Sequence, residues 1–142
     1  MSDVKVNPDS APVGTFGVHK ENAIAIRKSL APRYDVVHNC TDPDAAFTEL
    51  PALFSGDQSV RPSNGIGSNS EGSNIRIPKI MICGGDVPPE QKQRLYALIK
   101  EKADGVKFVE VDREKMVAGI KSGRPVPEVV TELLLEELDK LK

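Results

Sequence analysis

The segment from Ile77 to Glu90 constrains the fold of this chain more than any other. Within it, the apolar run Ile80 to Cys83 does not alternate with polar residues, which is typical of a strand buried on both faces of a parallel sheet. Gly84 and Gly85 end this run, and Pro88-Pro89 is typical of the start of a helix. The segment therefore predicts a central strand of an open α/β sheet.

Strand and helix patterns alternate along the rest of the chain. The predicted strands cover residues 13–18, 34–38, 80–83 and 106–111, and the predicted helices cover about 21–31, 45–50, 88–103, 113–121 and 127–142. Two helix starts are marked by Asp42 and Asp112, whose carboxylates can accept hydrogen bonds from first-turn amides. Pro51 should kink the second helix or begin its end.

This alternation predicts the topology of the sheet. Strands that alternate with helices pair in parallel through right-handed crossovers, and the simplest arrangement is the order 2-1-3-4. We therefore predict an α/β fold with a four-stranded parallel sheet and helices on both faces. Such a fold is a small three-layer domain of Rossmann-like or flavodoxin-like type.

The length and local composition predict how the chain is organised. With 142 residues, the chain is long enough for one domain with a substantial core. Residues 1–12 are polar and are predicted to form a flexible tail before a single domain at 13–142. Residues 55–76 are rich in Ser, Gly and Asn and predict a long flexible loop, either an insertion or a lid.

Charge and hydropathy argue against several classes of partner. A net charge of −2 and a pI near 5.7 provide no basic surface for nucleic acid or for an anionic membrane. No apolar run approaches the roughly 20 residues that a membrane-spanning helix needs. Because the first twelve residues do not resemble a signal or transit peptide, we expect a cytoplasmic protein.

The predicted topology brings polar and small residues together at one edge of the sheet. In open α/β sheets, ligands bind outside the carboxyl ends of the strands where the strand order reverses, here between the first and third strands. Helix N-termini at this edge favour anions, so we expect a metabolite or nucleotide that carries a phosphate or carboxylate. The candidate binding residues are Gly17, His19, Lys20, Asn22, Gly84, Gly85 and Asp86.

Two of these residues are also candidates for catalysis. His19 can carry a proton near neutral pH, and Asp86 can act as a general base. Each also has a simpler interpretation. His19 could be an exposed residue of a turn, and Asp86 could cap a helix. Gly84 and Gly85 could allow close packing of the strand and helix. The chain contains neither a dinucleotide-binding glycine motif nor a phosphate-binding P-loop motif, and the sequence leaves open whether it is an enzyme and which cofactor it uses.

The histidines and cysteines do not form a recognisable metal motif. His19, His38, Cys40 and Cys83 have side chains that bind zinc, but their spacing matches no familiar zinc site. We therefore predict no metal. Cys40 and Cys83 are expected to be buried apolar residues in a reducing compartment, although His38 and Cys40, two apart on a strand, share a face and could pair.

The last predicted helix supports an alternative function as a non-catalytic interaction or assembly module. Its apolar stripe is broad, and Leu135 lies off this stripe. A surplus of apolar surface would indicate a homodimer formed through this helix. The leucines concerned are Leu133, Leu134, Leu135, Leu138 and Leu141.

Overall fold

A computed structural model describes residues 10–31, 33–70 and 75–141. The four strands are β1 (Ala11–Phe16), β2 (Tyr34–Cys40), β3 (Ile80–Cys83) and β4 (Lys107–Glu110). The helices are α1 (Lys20–Leu30), α2 (Pro43–Phe54), α3 (Pro89–Lys102), α4 (Arg113–Lys121) and α5 (Val126–Asp139), with one 3-10 turn at Ser68–Ser70.

The four strands form one parallel sheet in the order β2-β1-β3-β4, which confirms the predicted topology. Thr15 of β1 lies opposite Ile82 of β3, and Phe16 lies opposite Cys83. The ends of β1 and β3 are therefore neighbours, as the predicted site requires.

Helices cover both faces of the sheet and create two apolar clusters. The cluster under α1, α4 and α5 contains Val13, Leu30, Tyr34, Val36, Ile82, Val109, Val111, Met116, Val129, Val130, Leu134 and Leu138. The cluster under α2 and α3 contains Phe16, Cys40, Ala46, Leu50, Phe54, Met81, Cys83, Val87, Leu95 and Ile99. This arrangement is the predicted three-layer α/β domain.

An irregularity in β2 changes which side chains face each layer. Val13 lies opposite Val36, whereas the next residue of β1, Gly14, lies opposite His38, so Val37 is an extra residue in β2. In a regular strand, residues 36 and 40 would share a face. Instead, Val36 joins the α1/α5 cluster and Cys40 joins the α2/α3 cluster. The bulge thus turns the end of β2 toward α2.

The predicted caps of α2 and α4 are confirmed. Asp42 Oδ2 accepts a hydrogen bond from the Ala45 amide at 3.2 Å. Asp112 Oδ1 accepts from the amides of Glu114 and Lys115 at 2.9 and 3.2 Å. In both helices the carboxylate satisfies first-turn amides that have no acceptor within the helix.

Helix α2 is longer than the sequence predicted. The helix continues through Pro51 to Phe54, although the prediction placed its end or a kink near Leu50. An internal proline costs about 3 kcal/mol. Leu50, Pro51, Leu53 and Phe54 are all buried, and this packing offsets the local cost.

Other boundaries differ by a few residues from those predicted. β1 begins at Ala11 rather than at residue 13, and residues 1–9 of the predicted tail lie outside the described residues. α5 ends at Asp139 rather than at residue 142, which also lies outside them.

Residues 66–69 of the predicted 55–76 loop pack along the outer edge of β2. The amide of Asn39 donates to the carbonyl oxygen of Ile66 at 2.9 Å, and Ile66, Ser68 and Asn69 are buried. The Asn69 side-chain amide donates to and accepts from the backbone of Arg76, both at 3.0 Å. The Ser/Gly/Asn composition did not predict these contacts. Residues 71–74 lie outside the described ranges, and flexibility of the loop stays a prediction.

A buried carboxylate fixes the same segment at the start of β2. Asp35 is buried, and its Oδ2 accepts from Arg76 Nη1 at 2.8 Å and from Ser68 Oγ at 2.9 Å. Arg76 Nη1 also lies 3.0 Å from Ser10 Oγ, just before β1. The network therefore joins the first two strands to the segment that follows α2.

Helix α5 packs most of its leucines against the sheet of its own chain. Leu134 and Leu138 are buried, and Leu133 and Leu135 pack partly buried against the same cluster. Leu141 is exposed. The homodimer through this helix stays a prediction, with little apolar surface left to support it.

Candidate functional site

A groove opens at the carboxyl ends of β1 and β3, where the strand order reverses. It brings together six of the seven predicted binding residues, which are Gly17, His19, Asn22, Gly84, Gly85 and Asp86. Lys20 is exposed at the start of α1 and does not line the groove.

The walls of the groove are mainly apolar, which the sequence did not predict. They come from β1 and the turn after it, from β2 and β3, and from the helices α1 and α5, through Phe16, Val18, Ala23, Ile26, Val36, Ile82, Val126, Val130 and Leu134. The empty volume between these walls is about 560 Å³, with the open mouth included. This shape suits a small ligand with an apolar body.

Two polar side chains on neighbouring strands also line the groove. Thr15 and Asn39 lie opposite each other in the sheet, and Asn39 Nδ2 donates to Thr15 Oγ1 at 2.7 Å. Asn39 Oδ1 accepts from Asn64 Nδ2 at 3.0 Å. This chain of hydrogen bonds links the segment beside β2 to the groove. No described residue of 55–76 lines the groove itself.

The side chains of His19 and Asp86 contact each other at the groove. His19 Nε2 lies 2.9 Å from Asp86 Oδ2, and their side chains are 58% and 34% exposed. The suggestion that Asp86 caps α3 is wrong, because that helix begins after Pro88 and has no side-chain cap. His19 occupies the N-cap position of α1, likewise without a capping bond from its side chain. Neither residue is therefore explained by helix capping.

The three glycines of the groove differ in how much space a side chain would find at each position. A Cβ at Gly85 would lie 2.9 Å from Met116 Sδ, at the flexible end of a side chain on α4 that would have to move aside. A Cβ at Gly84 would lie at an ordinary 3.6 Å from Phe16 O, and one at Gly17 would meet nothing within 4 Å. Packing therefore does not require Gly17 or Gly84, and close approach of a ligand remains their proposed role.

A second polar cluster lies on the other face of the sheet. His38 Nε2 is 2.8 Å from Glu49 Oε1, and Cys40 Sγ is 3.8 Å from the same oxygen. His38 and Cys40 are buried, while the Glu49 side chain is 17% exposed. Glu49 Oε1 also accepts from the amide of Ser63 at 3.2 Å. One carboxylate oxygen thus gathers three groups from β2 and the segment after α2.

Burial controls the protonation of this cluster. It lowers the pKa of His38 below its ordinary value, and it raises the pKa of Cys40, an effect that the nearby Glu49 carboxylate reinforces. Burial also raises the pKa of Cys83 to about 11. At neutral pH the imidazole is therefore uncharged and both cysteines are thiols, so neither cysteine is an activated nucleophile.

The four side chains considered above as zinc ligands, His19, His38, Cys40 and Cys83, do not form one group. Among the described residues, the group of metal-ligating side chains within 4.8 Å of one another consists of His38, Cys40 and Glu49. His19 and Cys83 are not members of it. Nothing in the sequence predicted a role for Glu49, because its contact with β2 depends on the bulge at Val37.

Acid should destabilise the fold partly through His38. Its pKa in the folded chain is lowered from 6.5, so below that pH the unfolded chain binds a proton that the folded chain does not. The free energy of unfolding should then fall by up to about 1.4 kcal/mol per pH unit until the lowered pKa is reached. Urea titrations in EDTA from pH 7.5 to 5 should show this slope. A His38→Gln variant should lack it, and equal slopes would contradict the assignment.

Comparisons with protein-family models, with curated proteins and with solved structures found no match to this chain. No helix within the described ranges has the length and apolarity required to cross a membrane. The function must therefore be inferred from the chemistry of the groove.

Proposed function

We propose that this chain binds a small amphipathic anion, with an apolar body inside the groove and a carboxylate or phosphate at its mouth. The observation that carries the proposal is the coincidence of apolar walls and polar mouth residues at the switch point of the sheet. Rossmann-like sheets bind ligands at this position.

The apolar walls favour an aliphatic or aromatic body. Ile26, Ile82 and Val130 belong to three different elements and all line the groove. Burying a ligand methylene there contributes about 0.8 kcal/mol, whereas an unpaired ribose hydroxyl would cost free energy. A compact amphipathic ligand therefore fits better than a whole nucleotide.

The mouth supplies donors for the anionic group. The first hydrogen bond of α1 runs from the Ala23 amide to the His19 carbonyl, so the preceding amides have no acceptor within the helix. These amides and the positive end of the helix dipole favour a negative charge, and Asn22 from the same turn lines the groove. His19 adds an imidazole donor at the same place.

The Asp86 carboxylate repels an anion at the mouth of the groove and competes with it for the His19 imidazole. Asp86 Oδ2 already lies 2.9 Å from His19 Nε2. We infer that the bound anion replaces Asp86 as the partner of His19. If a ligand carries a proton to be transferred, the same two residues are the proposed acid–base pair.

Calorimetric titration with octanoate, and with uncharged octan-1-ol as the comparator, tests the proposal. Wild-type protein should bind octanoate more tightly than octanol. His19→Ala should weaken octanoate binding about tenfold, because a charge-assisted hydrogen bond is lost. Asp86→Asn should strengthen octanoate binding several-fold, because a competing charge is removed. Neither change should affect octanol.

Lys20→Ala is the matched control for these variants. Lys20 follows His19 directly but does not line the groove, so its loss should change octanoate affinity little. Ala23→Leu should fill the groove and weaken both ligands. Equal affinity of the His19→Ala and wild-type chains for octanoate would refute the anion site, and unchanged binding by Ala23→Leu would refute the groove.

A further inference from the structure

We propose that His38, Cys40 and Glu49 form a binding site for one Zn²⁺ ion, on the opposite face of the sheet from the groove and independent of the function proposed for it. One nitrogen of His38, the sulfur of Cys40 and one carboxylate oxygen of Glu49 all lie within 4.8 Å of one another. Imidazole, thiolate and carboxylate are the side chains that bind zinc in proteins.

The distances are close to those of a metal site. Zinc bonds of about 2.0–2.3 Å place neighbouring tetrahedral ligands roughly 3.3–3.7 Å apart. The sulfur and oxygen are 3.8 Å apart, and the Nε2 and oxygen atoms are 2.8 Å apart. An increase of about 0.5 Å in the distance between the Nε2 and oxygen atoms would therefore admit the ion.

The supporting elements hold the ligands in place. His38 and Cys40 lie on β2 beyond the bulge, and Glu49 lies on α2, which packs over the same face. The amide of Ser63 donates to Glu49 Oε1 at 3.2 Å and orients the carboxylate. With Nε2 on the ion, the neutral His38 ring would carry its proton on Nδ1, which is buried and has no hydrogen-bond partner among the described residues.

Binding is balanced in charge. When the zinc–sulfur bond forms, the Cys40 thiol releases its proton to solvent. One thiolate and one carboxylate then neutralise the two positive charges of the ion, which favours a buried complex. Glu49, 17% exposed, provides the route of entry. Three protein ligands leave one coordination position for water.

Metal titrations of the untagged full chain test this inference, since a histidine tag would itself bind zinc. After treatment with EDTA and removal of the chelator, calorimetry should show one Zn²⁺ per chain with a Kd of about 1 µM or tighter. Co²⁺ should give thiolate-to-metal charge-transfer absorption, which reports a bound cysteine. A chain that binds neither ion would show that Glu49 only accepts hydrogen bonds here.

Variants identify the ligands. Cys40→Ser should abolish the charge-transfer absorption, and it should weaken Zn²⁺ binding by about a hundredfold or more. Cys83→Ser is the matched control, because Cys83 is an equally buried cysteine outside the cluster. Circular dichroism without metal checks folding. If Cys40→Ser fails to fold, the Glu49→Gln variant, changed at the partly exposed end of the site, tests the proposal instead. Unchanged Zn²⁺ affinity in Glu49→Gln would overturn the site.

Discussion

Replacing Gly67 with alanine is expected to destabilise the fold by about 3 kcal/mol or more. Gly67 has a φ of +136°, a conformation that L side chains rarely adopt. An added Cβ would also lie 2.3 Å from the carbonyl oxygen of Val37, inside the bulge of β2. Because a backbone atom cannot rotate away, either β2 or the segment beside it must move. Urea denaturation measures the change.

Gly56→Ala is the control that separates conformation from collision. Gly56 also has a positive φ, +105°, but a Cβ there would meet nothing within 4 Å. Its replacement should cost only the conformational part, about 1–2 kcal/mol. If the two variants lose equal stability, the contact between Gly67 and β2 contributes nothing beyond the backbone conformation.

Replacing Arg76 with methionine is expected to cost about 2–3 kcal/mol of folding free energy. Asp35 is buried and would keep Ser68 Oγ but lose the guanidinium, leaving a carboxylate in the interior without its counter-charge. Removing one partner of a buried pair usually costs about 3–5 kcal/mol, and the figure is lower here because the Arg76 side chain is 24% exposed. Urea denaturation at pH 7 measures the loss.

Two further variants test the origin of that loss. Adding Asp35→Asn to Arg76→Met removes the stranded charge and should recover part of the stability. Arg124→Met removes ion pairs with Glu128 and Glu132 on the surface and should change stability little. If the double variant is no more stable than Arg76→Met, the charge of Asp35 is not the cause.

The order of the strands and the place of the groove could be predicted because both follow from local patterns. The unbroken run at Ile80 to Cys83 indicated a central strand, and the strand–helix alternation fixed parallel pairing. The switch-point rule then placed His19 and Gly84 at one edge of the sheet. Both residues line the groove, although what it binds stays a prediction.

The missed features depend on contacts between distant parts of the chain. Within β2 no glycine or proline marks the bulge at Val37, so that strand's own sequence did not indicate that Cys40 would meet Glu49. The apolar walls contributed by α5, such as Val130, required knowing how that helix crosses the sheet. Likewise, the buried contacts of Ile66 were hidden in a segment whose composition resembles a linker.

The hydrogen bond between Asn39 and Ile66 also bears on how copies of this chain can meet. Unpaired amides and carbonyls along a sheet border are a template for strands of other molecules, and here one border is capped by the chain itself. The opposite border is β4, only four residues long and bearing the exposed charges of Lys107 and Glu110. Continuous sheets shared between molecules are therefore disfavoured at both borders.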